Sequence, residues 1–179
     1  METKKQTHIV YGFITGIVMV ILSVIIYMTG LSFTPGKEWI IYLVYLPFLA
    51  GIVLNAMAYS KANDGFVTFG NVFGSCFKGT MIIILVMVAW GVLSTIVFPE
   101  MKTKTLEMIR IKMQQSNQAQ KMTDDQMESA VSFMSNHWNT IVVGGSVLYN
   151  LFFGAIFSLI GGAVANKKGD NPFNNAQQM

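Results

Sequence analysis

Residues 9–31 read IVYGFITGIVMVILSVIIYMTGL, an apolar run without one Asp, Glu, Lys or Arg. The hydrocarbon core of a bilayer takes about 20 helical residues to cross. Because lipid offers no partner to backbone N–H and C=O groups, such a run must close its own hydrogen bonds as an α-helix. Three further uncharged runs lie at residues 39–60, 79–98 and 138–166. The sequence therefore predicts four transmembrane helices.

The composition places the whole chain in the membrane class. Of its 179 residues, 53% are hydrophobic and 12% are charged, and the mean hydropathy is +0.50. Soluble domains carry charge on about 25% of their residues. This composition excludes disorder and most soluble enzyme folds, and a net charge of +3 is too small to predict nucleic-acid binding. We expect residues 1–179 to form one all-α integral membrane domain.

Orientation depends on the first span, because the twelve basic residues divide six against six between the two sides. Lys4 and Lys5 precede this span, whose apolar run is longer than the core of a signal peptide, so we expect a retained helix. The first helix and its cationic flank usually dominate orientation. The sequence thus predicts cytoplasmic termini and an extracytoplasmic segment at residues 99–137.

Two stretches next to the spans carry further patterns. Pro47 lies inside the second apolar run and predicts a kink there, since proline removes a backbone donor. Residues 66–78 place four phenylalanines at spacings of three and four, together with polar side chains. That spacing predicts one aromatic helical face. We expect an amphipathic helix that lies at the membrane surface and leads into the third span.

The segment at residues 99–137 is predicted to form two amphipathic helices, the second running straight into the fourth span. Thr123 and Gln126 have the spacing of a capping box, and Met122 and Met127 occupy the two positions of a hydrophobic staple. Six methionines of this segment are five or more residues apart and lie on apolar faces. They favour flexible packing over a copper site.

Small and polar residues recur at helical spacing inside the spans, and small faces let helix backbones approach closely. The packing candidates form two glycine pairs and one stripe with a four-residue repeat: Gly12 and Gly16, Gly70 and Gly74, and Asn150, Gly154, Ser158 and Gly162. The same stripe could instead line a narrow polar path.

Three further polar residues lie within or beside the spans: Asn55, Asn71 and Lys78. An intramembrane lysine is by default a candidate for function, yet at a helix end its ammonium can reach the headgroups. The sequence shows no paired carboxylates within the spans, no Ser–His or Cys–His pair and one cysteine. We therefore expect no enzyme activity, no cofactor and no metal.

The stretch GFVTFGNVFGSCFKG at residues 65–79 resembles the Phe-Gly-x-x-Phe element of the domain-of-unknown-function family numbered 4199. The Met- and Gln-rich segment before the fourth span is also similar, and the resemblance covers nearly the whole chain. These relatives are small four-helix bacterial membrane proteins without an established activity. The resemblance implies the bacterial inner membrane. Family genes tend to lie near membrane glycosyltransferases, which implies a membrane-enzyme partner.

From these patterns we expect a structural or accessory membrane protein, in contact with lipid and forming a homo-oligomer or a complex with a membrane enzyme. The alternative is a small transporter or channel subunit whose polar lining includes Asn55, Asn71, Lys78 and Asn150.

Overall fold

The computed structural model of the protein describes residues 6–34, 36–115, 123–165 and 168. Three residues named in the sequence analysis lie outside these ranges: Lys4 and Lys5, which precede the first span, and Met122 of the proposed staple.

Six α-helices and two short 3-10 helices make up the described part of the chain, which contains no strand. The 3-10 helices are Leu31–Phe33 and Glu38–Val44. The α-helices in chain order are α1 Thr7–Thr29, α2 Tyr45–Ala62, α3 Phe69–Val97, α4 Glu100–Gln115, α5 Asp124–Asn136 and α6 Trp138–Val164.

Four of these segments are long and apolar enough to cross a membrane: Thr7–Thr29, Trp39–Ala62, Phe69–Val97 and Trp138–Val164. The predicted all-α fold with four spans is confirmed. Large apolar side chains face outward along all of them, for example Leu85 and Leu148, which are 69% and 70% exposed. Such a surface fits lipid, because acyl chains solvate it as well as a protein core would.

The third span, α3, is the central helix of the bundle, since it packs against α1, α2 and α6. The core between them contains Phe48 and Ile52 from α2, Cys76 and Ile83 from α3, and Met19 from α1, all essentially inaccessible. Because α1 and α3 are separated by one span, they run in the same direction.

The prediction of a separate surface helix over residues 66–78 is wrong. The helix begins at Phe69 and continues without a break to Val97, and the Thr68 hydroxyl caps its start by accepting from the Asn71 N–H at 3.2 Å. Its first turns pack against α2, where the Cys76 thiol donates toward the Ile52 carbonyl at 3.6 Å. With 29 residues, α3 is about 43 Å long. It therefore extends past a hydrocarbon core of about 30 Å.

The structure places Pro47 near the start of α2 rather than in its interior. Residues Glu38–Val44 form a 3-10 helix, and α2 begins only at Tyr45. Pro47 is thus the third residue of α2. N–H groups in the first turn of a helix lack an intrahelical partner in any case, so proline fits there without breaking a hydrogen bond.

The two amphipathic helices predicted between the third and fourth spans are confirmed as α4 and α5, which pack against each other. Thr123 and Gln126 form the predicted capping box. The Gln126 N–H donates to the Thr123 hydroxyl at 3.3 Å, and the Thr123 N–H donates to the Gln126 side chain at 3.0 Å. Only His137 separates α5 from α6, so the hairpin of α4 and α5 is attached directly to the fourth span.

Candidate functional site

The glycine pair of α1 forms a close contact with α3. A methyl group added at Gly12 would lie 2.9 Å from the Ile82 Cβ and 3.0 Å from the Gly79 carbonyl oxygen. One added at Gly16 would lie 2.9 Å from the Val86 Cβ. Since ordinary carbon contacts are about 3.5–4.0 Å, both positions require a residue without a side chain. The partner of this pair is a helix of the same chain.

The stripe of α6 faces the interior of the bundle. An added methyl group at Gly154 would overlap the Thr80 side chain, and at Gly162 it would lie 2.8 Å from the Phe69 ring. Between them, the Ser158 hydroxyl is 3.5 Å from the Thr80 hydroxyl. Ser158 and Thr80 are both 0% exposed. The stripe thus brings α6 against α3.

Two glycines that the sequence analysis did not single out belong to the same interior. A methyl group at Gly161 would lie 3.0 Å from the Cys76 sulfur and 3.3 Å from the Ala56 Cβ, and one at Gly51 would overlap Thr15. Gly161 follows Gly154 by seven residues, two helical turns, so a seven-residue repeat was the signal that could have identified it. Gly51 precedes Asn55 by four residues, another spacing that marks one face.

Asn55 lies where α2 and α3 meet and is 1% exposed. Its amide nitrogen is 3.5 Å from the Ser75 hydroxyl and 3.9 Å from the Cys76 sulfur. A methyl group added at Gly79 would lie 3.5 Å from the same nitrogen. The Asn55 side-chain oxygen has no hydrogen-bond partner among the described residues. We call Asn55, Ser75, Cys76, Thr80 and Ser158 the polar cluster.

Asn150 is placed differently from the rest of its stripe. Its amide nitrogen donates to the Ser146 carbonyl at 2.7 Å and lies 3.2 Å from the Ser146 hydroxyl, so it bonds to the preceding turn of its own helix. The side chain is 4% exposed, and its oxygen has no partner in the described part of the chain. It therefore makes no hydrogen bond from α6 to another described helix.

The other candidates of α3 lie on its outer side. Gly70, Asn71 and Lys78 are exposed and Gly74 is half-buried. An added methyl group at Gly74 would meet nothing within 4 Å, and one at Gly70 would meet only the cap hydroxyl of Thr68 at 4.0 Å. The structure therefore does not bring Asn71 and Lys78 together with the polar cluster.

The chemistry that the polar cluster can perform is limited by its residue types. It consists of one amide, three hydroxyls and one thiol, without a carboxylate, imidazole or ammonium. His8 begins the first span and His137 precedes the fourth, so the two rings lie at opposite ends of the bundle. Within the described ranges, no group of three or more His, Cys, Asp and Glu side chains could hold a metal ion. The geometry is that of a helix-packing site.

Comparison with known proteins adds a family. Residues 10–167 match the family model DUF4199, described as a protein of unknown function. No curated protein and no solved structure matches the chain.

Proposed function

The chain belongs to the DUF4199 family, and we propose that it is a non-enzymatic structural or accessory subunit of a complex in the bacterial inner membrane. The observation that carries this proposal is the burial of the polar cluster between the helices. Ser158 and Thr80 meet at 3.5 Å with 0% exposure of either residue. Hydroxyls that are fully buried in the contact between two helices are accessible neither to a substrate nor to permeating water.

A conducting path would require the opposite arrangement. Polar side chains that line a channel must be accessible to water or to the permeating ion. Asn55 and Asn150 are only 1% and 4% exposed. One turn away from each, an added methyl group at Gly51 or Gly154 would overlap a threonine side chain of another helix. The polar residues of the spans thus support close helix packing, as small and polar residues do in many membrane proteins.

One observation favours the alternative of a small transporter or channel subunit. The side-chain oxygens of Asn55 and Asn150 are buried and lack a partner among the described residues. An unsatisfied buried acceptor costs roughly 1–3 kcal/mol. A second conformation that hydrates these two oxygens would recover that free energy and would open the bundle beside both asparagines.

The hairpin of α4 and α5 is the part of the chain where we expect a protein partner to bind. Phe133 is 60% exposed and Ile111 is 39% exposed, although both belong to helices outside the four spans. We propose that these two side chains contact a partner, as exposed apolar patches outside the membrane often do. A second copy of the chain or a membrane enzyme, such as a glycosyltransferase, would cover them, and membrane lipid covers the spans.

Co-purification tests the accessory role. We expect the tagged chain, extracted in a mild detergent after crosslinking, to retain a stoichiometric partner or a second copy. Phe133→Ser should lose that species, whereas Gln114→Ala, an exposed polar position of the same hairpin, should keep it. A wild-type chain that is monomeric and without a stoichiometric partner would contradict the accessory role.

Proteoliposomes test the alternative directly. The scaffold predicts that Ser158→Ala and Asn55→Ala change no ion or solute flux, because neither side chain is accessible. Flux in wild-type vesicles that either variant abolishes would establish transport and overturn the scaffold. Gln114→Ala is again the matched control.

The proposed orientation, with both termini cytoplasmic, is tested by labelling single cysteines in a Cys76→Ser background. Gln115→Cys at the end of α4 should react with a membrane-impermeant maleimide in spheroplasts with an intact inner membrane. Ala62→Cys at the end of α2 should react only after lysis. The reverse pattern would place the hairpin in the cytoplasm.

A further inference from the structure

An open cavity of about 620 Å³ lies at the end of the bundle where α2 and α6 terminate. Its inner wall is apolar and consists of Leu54, Met57 and Ala58 from α2 with Val164 from α6. Leu54 and Met57 are about half exposed. This wall belongs to two spans, so the inner part of the cavity borders the hydrocarbon of the membrane.

The outer rim of the cavity is an ordered turn. After α2, the Gly65 N–H donates to the Ser60 carbonyl at 2.9 Å and the Asp64 N–H donates to the Lys61 carbonyl at 3.2 Å. This pair of bonds, with Asp64 at φ 52°, is a Schellman motif. The turn is tied to the chain that follows α6, because the Lys168 N–H donates to the Gly65 carbonyl at 2.8 Å.

Gly65 makes that tie possible. It has φ +82°, and a methyl group there would lie 3.1 Å from the Lys168 Cγ. A larger residue would therefore disfavour the turn and push the lysine stem away. The fixed backbone places Lys168 at the rim, with its ammonium 6.0 Å from the centre of the Phe66 ring.

The rim carries two ammonium groups and one carboxylate: Lys61, Lys168 and Asp64. Both lysines are exposed, and neither forms an ion pair with a described carboxylate. The net charge of the rim is therefore positive. The cavity is apolar along its inner wall and positively charged at its rim. A phospholipid is arranged in the matching order, with apolar acyl chains and an anionic phosphate at their end.

We propose that this cavity binds an anionic phospholipid. The phosphate lies between the ammonium groups of Lys61 and Lys168, and an acyl chain runs along Leu54 and Met57. The two lysines lie at the depth of lipid headgroups, since Lys61 is next to the last residue of its span and Lys168 follows the last span by four residues. Basic side chains at this level attract the anionic lipids of a membrane surface. Asp64 opposes the binding by its charge.

The proposal is tested by native mass spectrometry of the full chain, titrated in detergent with phosphatidylglycerol or with phosphatidylcholine. We expect tighter retention of phosphatidylglycerol. Replacing either lysine by glutamine should weaken it about fivefold, the effect of one basic residue near an anionic surface. Lys37→Gln, an exposed lysine at the opposite end of the bundle, is the control and should change nothing.

Two further variants separate the charge from the apolar wall. Asp64→Asn keeps a residue that tolerates the left-handed conformation and should tighten phosphatidylglycerol binding about fivefold, by removal of a nearby negative charge. Ala58→Phe fills the wall and should release the lipid while both lysines remain. Circular dichroism confirms that each variant is folded.

Three results would overturn the proposal. Equal retention of both lipids would mean ordinary annular lipid. Loss of phosphatidylglycerol from Lys37→Gln as large as from Lys61→Gln would mean unspecific charge attraction. Displacement of the lipid by millimolar inorganic phosphate, together with no effect of Ala58→Phe, would mean a phosphate site that does not recognise lipid.

Discussion

The glycine pair of α1 and the glycine pair at the start of α3 share the same four-residue spacing, yet only one of them is packed. A methyl group at Gly12 or Gly16 would lie 2.9 Å from a side chain of α3. A methyl group at Gly74 would meet nothing within 4 Å, and Gly70 is exposed. The spacing creates a small helical face in both cases. It does not determine which way that face points.

The difference follows from the rotation of α3 about its axis. Its first turns bury Val72, Ser75, Cys76 and Gly79, which are spaced as i, i+3, i+4 and i+7 and so form one face. Gly70 and Gly74 lie on the other side of the helix. A glycine pair is therefore informative only together with the apolar and small residues that define the buried face of the same helix.

Gly154→Leu is expected to have the largest effect. The added side chain would overlap Thr80 and come close to Phe48, both of which are fully buried. Overpacking a filled interior costs about 3 kcal/mol or more when backbones must separate. We expect a corresponding fall in the free energy of unfolding, measured by titration with SDS in mixed micelles. Gly74→Leu is the matched control and should unfold close to wild type. Equal losses in the two variants would contradict the assignment of packed and open faces.

Gly12→Ala and Gly16→Ala should each lower the free energy of unfolding by about 1–3 kcal/mol, because a single methyl group forces Ile82 or Val86 to shift. The same titration measures this effect. In a variant that also carries Val86→Gly, the cost of Gly16→Ala should largely disappear, since the three atoms nearest the added methyl group all belong to the Val86 side chain. An unchanged cost in the double variant would mean that Val86 is not the obstacle.

Thr123→Ala extends the comparison to α5, a helix outside the spans. This helix is stabilised at its start by hydrogen bonds rather than by closely packed glycines. The variant removes the hydroxyl that accepts from the Gln126 N–H, a cap worth about 0.5–2 kcal/mol. Hydrogen exchange in nanodiscs should become faster at the first turns of α5 and stay unchanged in α3. Thr123→Ser, which keeps the hydroxyl, should exchange like wild type. Faster exchange throughout the bundle would show that the hairpin is not an independent unit.

Gly74→Ala should have the smallest effect and the opposite sign. Alanine restricts the unfolded chain and is the better helix former, so it should raise the free energy of unfolding by about 0.4–1 kcal/mol where no clash arises. The SDS titration that shows a loss for Gly16→Ala should show this gain. A loss would indicate that Gly74 contacts a partner molecule in the membrane.

The number and type of the spans could be predicted from the sequence because both are local properties. An uncharged apolar run of sufficient length has to be helical in lipid whatever surrounds it. The capping box of α5 is local in the same sense, since its two hydrogen bonds join Thr123 to Gln126 across a single turn. The sequence also placed the small residues of α1 and α6 within the spans.

Only the tertiary structure decided how these elements are used. Residues 69–78 were expected at the membrane surface, yet they continue the third span because Cys76 packs against Ile52 of α2 and Gly161 of α6. Gly161 and Gly51 matter for packing because they lie against Cys76 and Thr15, which are distant from them in the sequence. The rim of the cavity at the ends of α2 and α6 likewise joins distant segments, since the Lys168 N–H is bonded to the Gly65 carbonyl. Rotation about a helix axis and the choice of neighbours depend on contacts between segments far apart in the chain, and no periodicity within one segment contains that information.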